Sequence, residues 1–336
     1  MDNVIRSIAV YGAGSWGTAL ALQLARNGLQ VWLWDIDAKH VKQLEVAREN
    51  TRYLPGVALP DNIHCSSDLA EIAGKSDQHL IVVPSHGFRS LLKQLVPLVK
   101  DGSQIAWATK GLELDTGKLL HQVIQEELPD SVYALVSGPT FALEVAKGMP
   151  TAMTVAASDK SFGQAIAQAF HGDNYRVYTS DDVVGAELGG AIKNVLAIAA
   201  GISDGLGFGA NARAAIITRG LAEIMRLGAK MGAQPETLMG LTGVGDLVLT
   251  CTDDQSRNRR LGLALGEGKQ MDEAITEIGQ AVEGAKSARS VGKLAEREGV
   301  EMPICETVYR ILYEDLSPRQ AVQELISRTR KSENQL

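Results

Sequence analysis

Cysteine is scarce in this chain: Cys65, Cys251 and Cys305 are the only three in 336 residues. An odd count at wide spacing excludes a disulfide framework, and no CxxC pair is present for zinc or redox chemistry. Such usage suits a reducing compartment, so a cytoplasmic location is expected. Long apolar runs are also missing. No stretch reaches the ~18 residues that a membrane span needs, residues 194–202 coming closest, so no span is expected. The N-terminus, Met1-Asp-Asn-Val-Ile-Arg6, runs straight into a strand-like segment, with no charged-then-apolar leader. The six histidines form no HExxH or paired Cys/His set, which argues against a metal site. Gly-x-Ser-x-Gly is absent, removing the commonest serine-hydrolase signal. Positive charge is in the minority. The net charge of −7 argues against nucleic acid or a membrane surface as partner, though not against a local cationic pocket.

What is present suits a soluble globular protein: 45% apolar and 22% charged residues, with length for about two domains. Up to about Ser180, β-rich runs alternate with helix-like segments. Strands are predicted at Ser7–Tyr11, Gln30–Trp34, His79–Pro84, Gln104–Thr109, Tyr133–Ser137, Thr151–Ala156 and Arg176–Thr179. Helices are predicted at 15–27, 87–99, 116–128 and 159–170. The alternation predicts an α/β Rossmann-type domain over 1–180 with a doubly wound parallel sheet. Beyond it β-branched residues thin out. Helices over 183–201, 210–232, 235–240, 256–267, 271–277, 284–299, 303–313 and 317–328 predict an all-α domain over 181–336, with a frayed tail from Arg328.

Gly12-Ala-Gly-Ser-Trp-Gly17 is GxGxxG between a strand and a helix. Gly12 permits the tight turn, Gly14 lets backbone approach a pyrophosphate, and Gly17 lets helix and strand pack closely. The helix N-terminus offers its free N–H groups to phosphate. A ligand-free turn could use the same glycines, but a carboxylate ending the next strand, Asp35, completes the dinucleotide pattern. A carboxylate there accepts ribose hydroxyls and repels a 2′-phosphate, which predicts NADH over NADPH; the alternative is a solvated turn aspartate.

Lys193 lies in a helix apolar on nearly every side. Its neighbours three and four residues away are Gly189, Gly190, Leu196 and Ala197, none able to pair its charge. A buried, unpaired ammonium is costly and its pKa falls. Either another part of the chain manages that cost, or the lysine moves protons; snorkelling from the helix edge is the bland alternative.

Four segments can be assembled with it. Lys110 follows a strand's C-terminal end, where open α/β sheets bind ligands, although ordinary surface lysines also follow strands. Gly138 and Thr140, in Ser137-Gly-Pro-Thr-Phe-Ala142, could present N–H or hydroxyl groups, or form only a turn. Asp246, between a glycine pair and Leu247-Val-Leu249, could pair with Lys193 or orient it, or be only a helix cap or turn residue. Ser256-Arg-Asn-Arg-Arg260 is the densest basic cluster. At a helix start it suits phosphate, the dipole and guanidinium both attracting the anion; a solvated basic turn would read the same way. His86, at a strand end, is expected to line the cofactor cleft without a catalytic role.

Together the motifs GAGSWGTALA (12–21), VVPSH (82–86), WATKGLE (107–113), SGPTFA (137–142), LGGAIKNVLAIAAGISDGLGFGANARAAIITRG (188–220), TGVGDLVLTC (242–251), SRNRR (256–260) and VEG (282–284) closely resemble the bacterial NAD(P)-dependent sn-glycerol-3-phosphate dehydrogenase family, to about residue 330. The resemblance implies a Rossmann domain followed by a helical domain like that of 6-phosphogluconate dehydrogenase relatives. It implies interconversion of dihydroxyacetone phosphate and sn-glycerol 3-phosphate for phospholipid synthesis. Lys193 then resembles the proton acceptor, and Lys110, Gly138, Thr140, Asp246, Ser256, Arg257 and Asn258 resemble substrate contacts. Ser15, Trp16, Lys110, Ala142, Arg257 and Glu283 resemble cofactor contacts, Ala281 through backbone alone. Family members often carry a neutral residue and then His or Arg after the second strand. Asp35-Ile36 departs from that, reinforcing NADH while leaving NADP as a second cofactor. The apolar helical domain makes a homodimer plausible. Rival readings are a related β-hydroxyacid dehydrogenase and a non-catalytic NADH-binding module.

Overall fold

The alternating runs of the first half build one eight-stranded sheet and a small hairpin. In this computed structural model, residues 5–100 and 102–327 are described. The strands are β1 (Ser7–Tyr11), β2 (Gln30–Trp34), β3 (Glu49–Asn50), β4 (Leu54–Ala58), β5 (Ile63–Ser66), β6 (Gln78–Ile81), β7 (Gln104–Trp107), β8 (Tyr133–Ser137), β9 (Thr151–Ala157) and β10 (Tyr175–Ser180). The sheet order is β10-β9-β8-β7-β6-β1-β2-β5, with β3 and β4 forming the hairpin. From β1 the chain first builds outward through β2, then returns to add β6 on the other side. That reversal is the switch point where doubly wound sheets bind ligands, and residues 12–17 follow β1 directly.

The sheet differs from the expected all-parallel one in one pair: β8 and β9 run antiparallel, with Ser137 opposite Thr154. Their connection holds only the five-residue helix Ala142–Ala146, and β9 returns in the opposite direction, as a short connection permits. β3, β4 and β5 are strands that the sequence pattern does not predict. β4 contains Pro55 and Gly56, which argue against a strand. β5 is a four-residue edge strand, Ile-His-Cys-Ser, too short for a clear alternation. Helices Ala38–Ala47 and Leu69–Ala73 were likewise unanticipated; Asp37 and Asp68 cap them through their side chains.

Two compact units emerge. One holds the chain to Thr109 together with Leu120–Val183; the other holds Lys110–Leu119 and the chain from Val184. The first has a core including Val10, Leu20, Leu33, Leu80 and Phe162. The second contains no strand among the described residues. Its helices are Val183–Gly205, Gly209–Met231, Pro235–Leu238, Asp246–Thr252, Arg257–Gly266, Met271–Ile278, Glu283–Glu298, Pro303–Tyr313 and Pro318–Ser327. They enclose Leu188, Ile192, Leu196, Ile224, Leu247 and Val291. The tail from Arg328 lies outside the described residues.

Val183–Gly205 qualifies as a membrane span by length and composition, with mean hydropathy 1.5, contrary to the expectation that no segment would. It is a core helix instead: 89% of that apolar stretch is buried within the protein.

Candidate active site

In the first unit, Gly12 adopts φ +115°, and a Cβ there would lie 3.0 Å from the Val82 carbonyl oxygen. A Cβ on Gly17 would come within 1.8 Å of the Gly12 carbonyl oxygen. Gly14 differs, because nothing lies within 4 Å of where its Cβ would stand. Two glycines are thus required by the protein's own packing, while the third faces open space that a pyrophosphate can approach. The residues present therefore fit a dinucleotide. Ser15 and Trp16 open the following helix, and the Trp16 indole donates to the Ala108 carbonyl at 3.2 Å.

Asp35 at the end of β2 accepts from the Ala13 N–H at 2.8 Å and the Asp37 N–H at 3.0 Å. Its carboxylate is thereby fixed beside the glycine-rich turn, which is where an adenosine ribose binds in this motif. Gly138, Thr140 and Ala142 follow the end of β8. Gly138 has φ +144° and packs against β9, where a Cβ would sit 2.9 Å from the Met153 Cα. The Thr140 hydroxyl donates to the Gly138 carbonyl at 3.2 Å. These residues shape the turn. His86 lies in the first turn of the helix Ser85–Leu95.

In the second unit, Lys193, Asp246 and Lys110 converge. Lys193 is 6% exposed and Asp246 0%. The Lys193 ammonium donates to Asp246 Oδ1 at 2.5 Å and to the Thr250 hydroxyl at 2.8 Å. Lys110 donates to the other carboxylate oxygen at 2.7 Å. Snorkelling is thereby excluded: the charge is managed from elsewhere in the chain. Gly189, one turn before Lys193, makes this approach possible, since a Cβ there would meet the Thr242 carbonyl oxygen at 2.3 Å. The wide turn Leu241–Gly245 then leads into the helix that carries Asp246. Thr250 follows one turn later and donates to the Asp246 carbonyl at 2.6 Å. Thr250 carries little signal in the sequence beyond its position four residues after Asp246 on an apolar helix.

Burial pulls the Lys193 pKa down from 10.5 to about 8; Asp246 opposes the shift and Lys110 assists it. The lysine can therefore be charged or neutral near neutral pH, the property required of a general acid and base.

The basic cluster separates by role. Ser256 caps the helix Arg257–Gly266, its hydroxyl accepting from the Arg259 N–H at 3.2 Å. Arg259 is 8% exposed and pairs with Asp204 and Asp254, so it is structural rather than a solvated cation. Asn258 donates to the Asn194 side chain at 2.9 Å and accepts from the Gly284 N–H at 2.8 Å. Asn194, adjacent to Lys193, was also missed, because its partner lies 64 residues away. Arg257 donates to the Gln280 side chain at 3.3 Å. Burial lowers its pKa, while Glu283, in the first turn of the helix Glu283–Glu298, acts in the opposite direction. Ala281 lies in the turn before that helix. The helix start bearing Ser256, Arg257 and Asn258 can accept an anion through its dipole and guanidinium. No group of three or more candidate metal ligands occurs among the described residues.

Residues 7–163 match the family model described as NAD-dependent glycerol-3-phosphate dehydrogenase N-terminus, and residues 182–323 the corresponding C-terminus. A protein of Thioalkalivibrio sulfidiphilus named glycerol-3-phosphate dehydrogenase (NAD(P)+) is 57% identical, over 97% of this chain and 98% of its own. Another so named, from Pseudoalteromonas translucida, is 52% identical over 99% and 100%. The crystal structure of a glycerol-3-phosphate dehydrogenase from Coxiella burnetii is similar with a TM-score of 0.94, at 49% identity over 96% of this chain and 99% of that one.

Proposed function

The chain belongs to the NAD-dependent glycerol-3-phosphate dehydrogenase family, and on that premise we propose that it catalyses reversible hydride transfer between NAD(P)H and dihydroxyacetone phosphate, giving sn-glycerol 3-phosphate for phospholipid synthesis in the cytoplasm. The observation that carries the reading is the buried contact of Lys193 with Asp246, whose second oxygen holds Lys110. Burying such charges costs several kcal/mol per ion before pairing offsets it, and the lowered pKa of Lys193 suits proton transfer, which a binding module does not need.

When bound, the nicotinamide cofactor supplies the hydride in reduction and receives it in oxidation. Gly12 to Gly17 hold the pyrophosphate, and Asp35 accepts the ribose hydroxyls. Ser256, Arg257 and Asn258 hold the substrate phosphate, so binding energy from that unreactive end orients the three-carbon unit. Lys193 Nζ donates a proton to the oxygen that becomes the alcohol and takes it back in oxidation. Lys110 stabilises charge on that oxygen. Gly138 and Thr140 complete the substrate contacts, and Ala142, Ala281 and Glu283 those to the cofactor, on the family resemblance. NADH is preferred over NADPH because Asp35 repels a 2′-phosphate. A homodimer is the proposed assembly, supported by exposed Phe208 and Ile326 on the second unit; a monomer in sedimentation would remove it.

Adding dihydroxyacetone phosphate to the protein with NADH should abolish the NADH absorbance band. Lys193→Met should lower turnover by on the order of 10²–10⁴ while NADH still binds. Near-normal turnover in that folded variant would end the lysine's assignment. Equal kcat/KM with NADH and NADPH would overturn the reading of Asp35. Equal use of unphosphorylated dihydroxyacetone would overturn the phosphate site.

A further inference from the structure

Arg259 and Asp204 lie outside the groups assigned to chemistry, yet they join its parts. Arg259 stands in the first turn of the helix Arg257–Gly266, two residues after Arg257. Each guanidinium nitrogen is committed to a different segment. Nε donates to the Cys251 carbonyl at 3.2 Å, in the helix that carries Asp246 and Thr250. One terminal nitrogen bonds Asp254 in the intervening turn. The other bonds Asp204 Oδ2 at 2.6 Å, in the last turn of the helix that carries Lys193. The same Asp204 oxygen accepts from Arg213 at 2.7 Å. The Asp204 side chain is 9% exposed and that of Arg259 10%.

The two helices beneath this pair touch backbone to backbone. A Cβ on Gly201 would lie 2.1 Å from the Arg259 carbonyl oxygen, and one on Gly262 2.1 Å from that of Ile198. Gly205 and Gly266 would clash similarly, at 2.3 Å and 2.5 Å with the carbonyls of Leu263 and Ile202. The crossing therefore fixes separation and leaves no room for side chains. To that close backbone contact the ion pair at its end adds a directional constraint on the angle between the helices.

We infer that the Asp204–Arg259 pair is a positioning device: it sets the angle of the helix start bearing Ser256, Arg257 and Asn258 relative to the Lys193 helix. Asp204 lies eleven residues after Lys193, roughly 16 Å along the helix axis at 1.5 Å per residue. Loss of the Asp204 carboxylate leaves the Arg259 Nε bond to the Cys251 carbonyl in place, so the effect is expected at the phosphate end of the substrate. The inference rests on the phosphate reading of Ser256 to Asn258.

The test compares Asp204→Asn with Arg257→Ala. Asp204→Asn should raise the KM for dihydroxyacetone phosphate and the inhibition constant of inorganic phosphate together, each about tenfold. Its kcat and the pH at which activity breaks should stay at wild-type values, which a general loss of structure would not allow. Arg259→Lys keeps a cation for Asp204 but loses the planar fork and with it the Nε bond to the Cys251 carbonyl; it should show the same rise in KM and serves if Asp204→Asn fails to fold. The positioning role is overturned if Arg257→Ala raises KM but neither of these variants does, or if kcat falls while KM holds. If Arg257→Ala leaves KM unchanged, the phosphate reading itself fails.

Discussion

On the proposed role of Lys193, its charge state sets how the rate in each direction depends on pH. Burial holds its pKa near 8, so the ammonium prevails below that pH and the amine above. Reduction needs the ammonium as proton donor: its kcat/KM should be level below about pH 8 and fall above it. Oxidation needs the amine and should rise through the same value. Asp246→Asn removes the carboxylate that raises this pKa and keeps the Lys110 charge that lowers it, so both breaks should move to lower pH. Rate profiles measured in both directions check this, and unmoved breaks would separate Lys193 from them. The anomaly was readable from sequence, because no residue on its own helical face can pair it. Its partner was readable only as a candidate: Asp246 was expected to pair with Lys193 or orient it, or else to cap a helix, and at 53 residues from Lys193 and 136 from Lys110 the sequence could not choose between these. No periodicity reports a contact at those separations. The same limit governs the basic cluster. Arg257 and Arg259, two residues apart, look alike in the chain, and only the fold gives Arg259 to Asp204.

Among the elements, the strand–turn–helix of residues 7–26 was legible because Gly12 and Gly17 answer to local steric demands and Gly14 leaves room for a ligand. Gly14→Ala and Gly17→Ala separate the two roles. The open space at Gly14 predicts that Gly14→Ala folds with a wild-type melting temperature but binds NADH weakly, its methyl occupying the approach to the pyrophosphate. The contact at Gly17 predicts that Gly17→Ala pushes the helix from β1 and loses about 1–3 kcal/mol, the usual cost of overpacking, with weakened NADH binding as a consequence. Thermal melts and NADH titration by tryptophan fluorescence distinguish them; equal destabilisation by both would contradict the division of roles. Elements that were missed share a different property. β5 and the β3–β4 hairpin draw their pairing from neighbouring backbone, and their own residues carry little pattern. The antiparallel β8–β9 pair shows the same limit, since strand direction is set by a connection whose path the strand residues do not encode.

Over the whole molecule, the change of texture near residue 180 was visible, but not the excursion of Lys110–Leu119 into the second unit. Leu112 and Leu119 anchor that segment in the helical core, and Lys293 donates to the Leu114 and Asp115 carbonyls at 3.3 Å and 2.9 Å. Two leucines in a loop are too few to announce which core they join. That core also contains a carboxylate with consequences for stability. Glu223, 1% exposed, accepts from the N–H groups of Ile304 and Cys305 at 2.7 Å and 3.2 Å. It thereby satisfies otherwise orphaned donors in the first turn of the helix Pro303–Tyr313. Burial pushes its pKa from 4.5 up to about 7, against the pull of those two bonds and of Arg226. The folded protein thus takes up a proton at higher pH than the unfolded chain. The resulting stabilisation is complete below 4.5 and is lost as pH rises through about 7. Between about pH 5 and 8 the melting temperature of the wild type should fall relative to that of Glu223→Gln, whose side chain cannot ionise. Parallel melting curves across that range would show that Glu223 carries the same charge in the folded and unfolded chains.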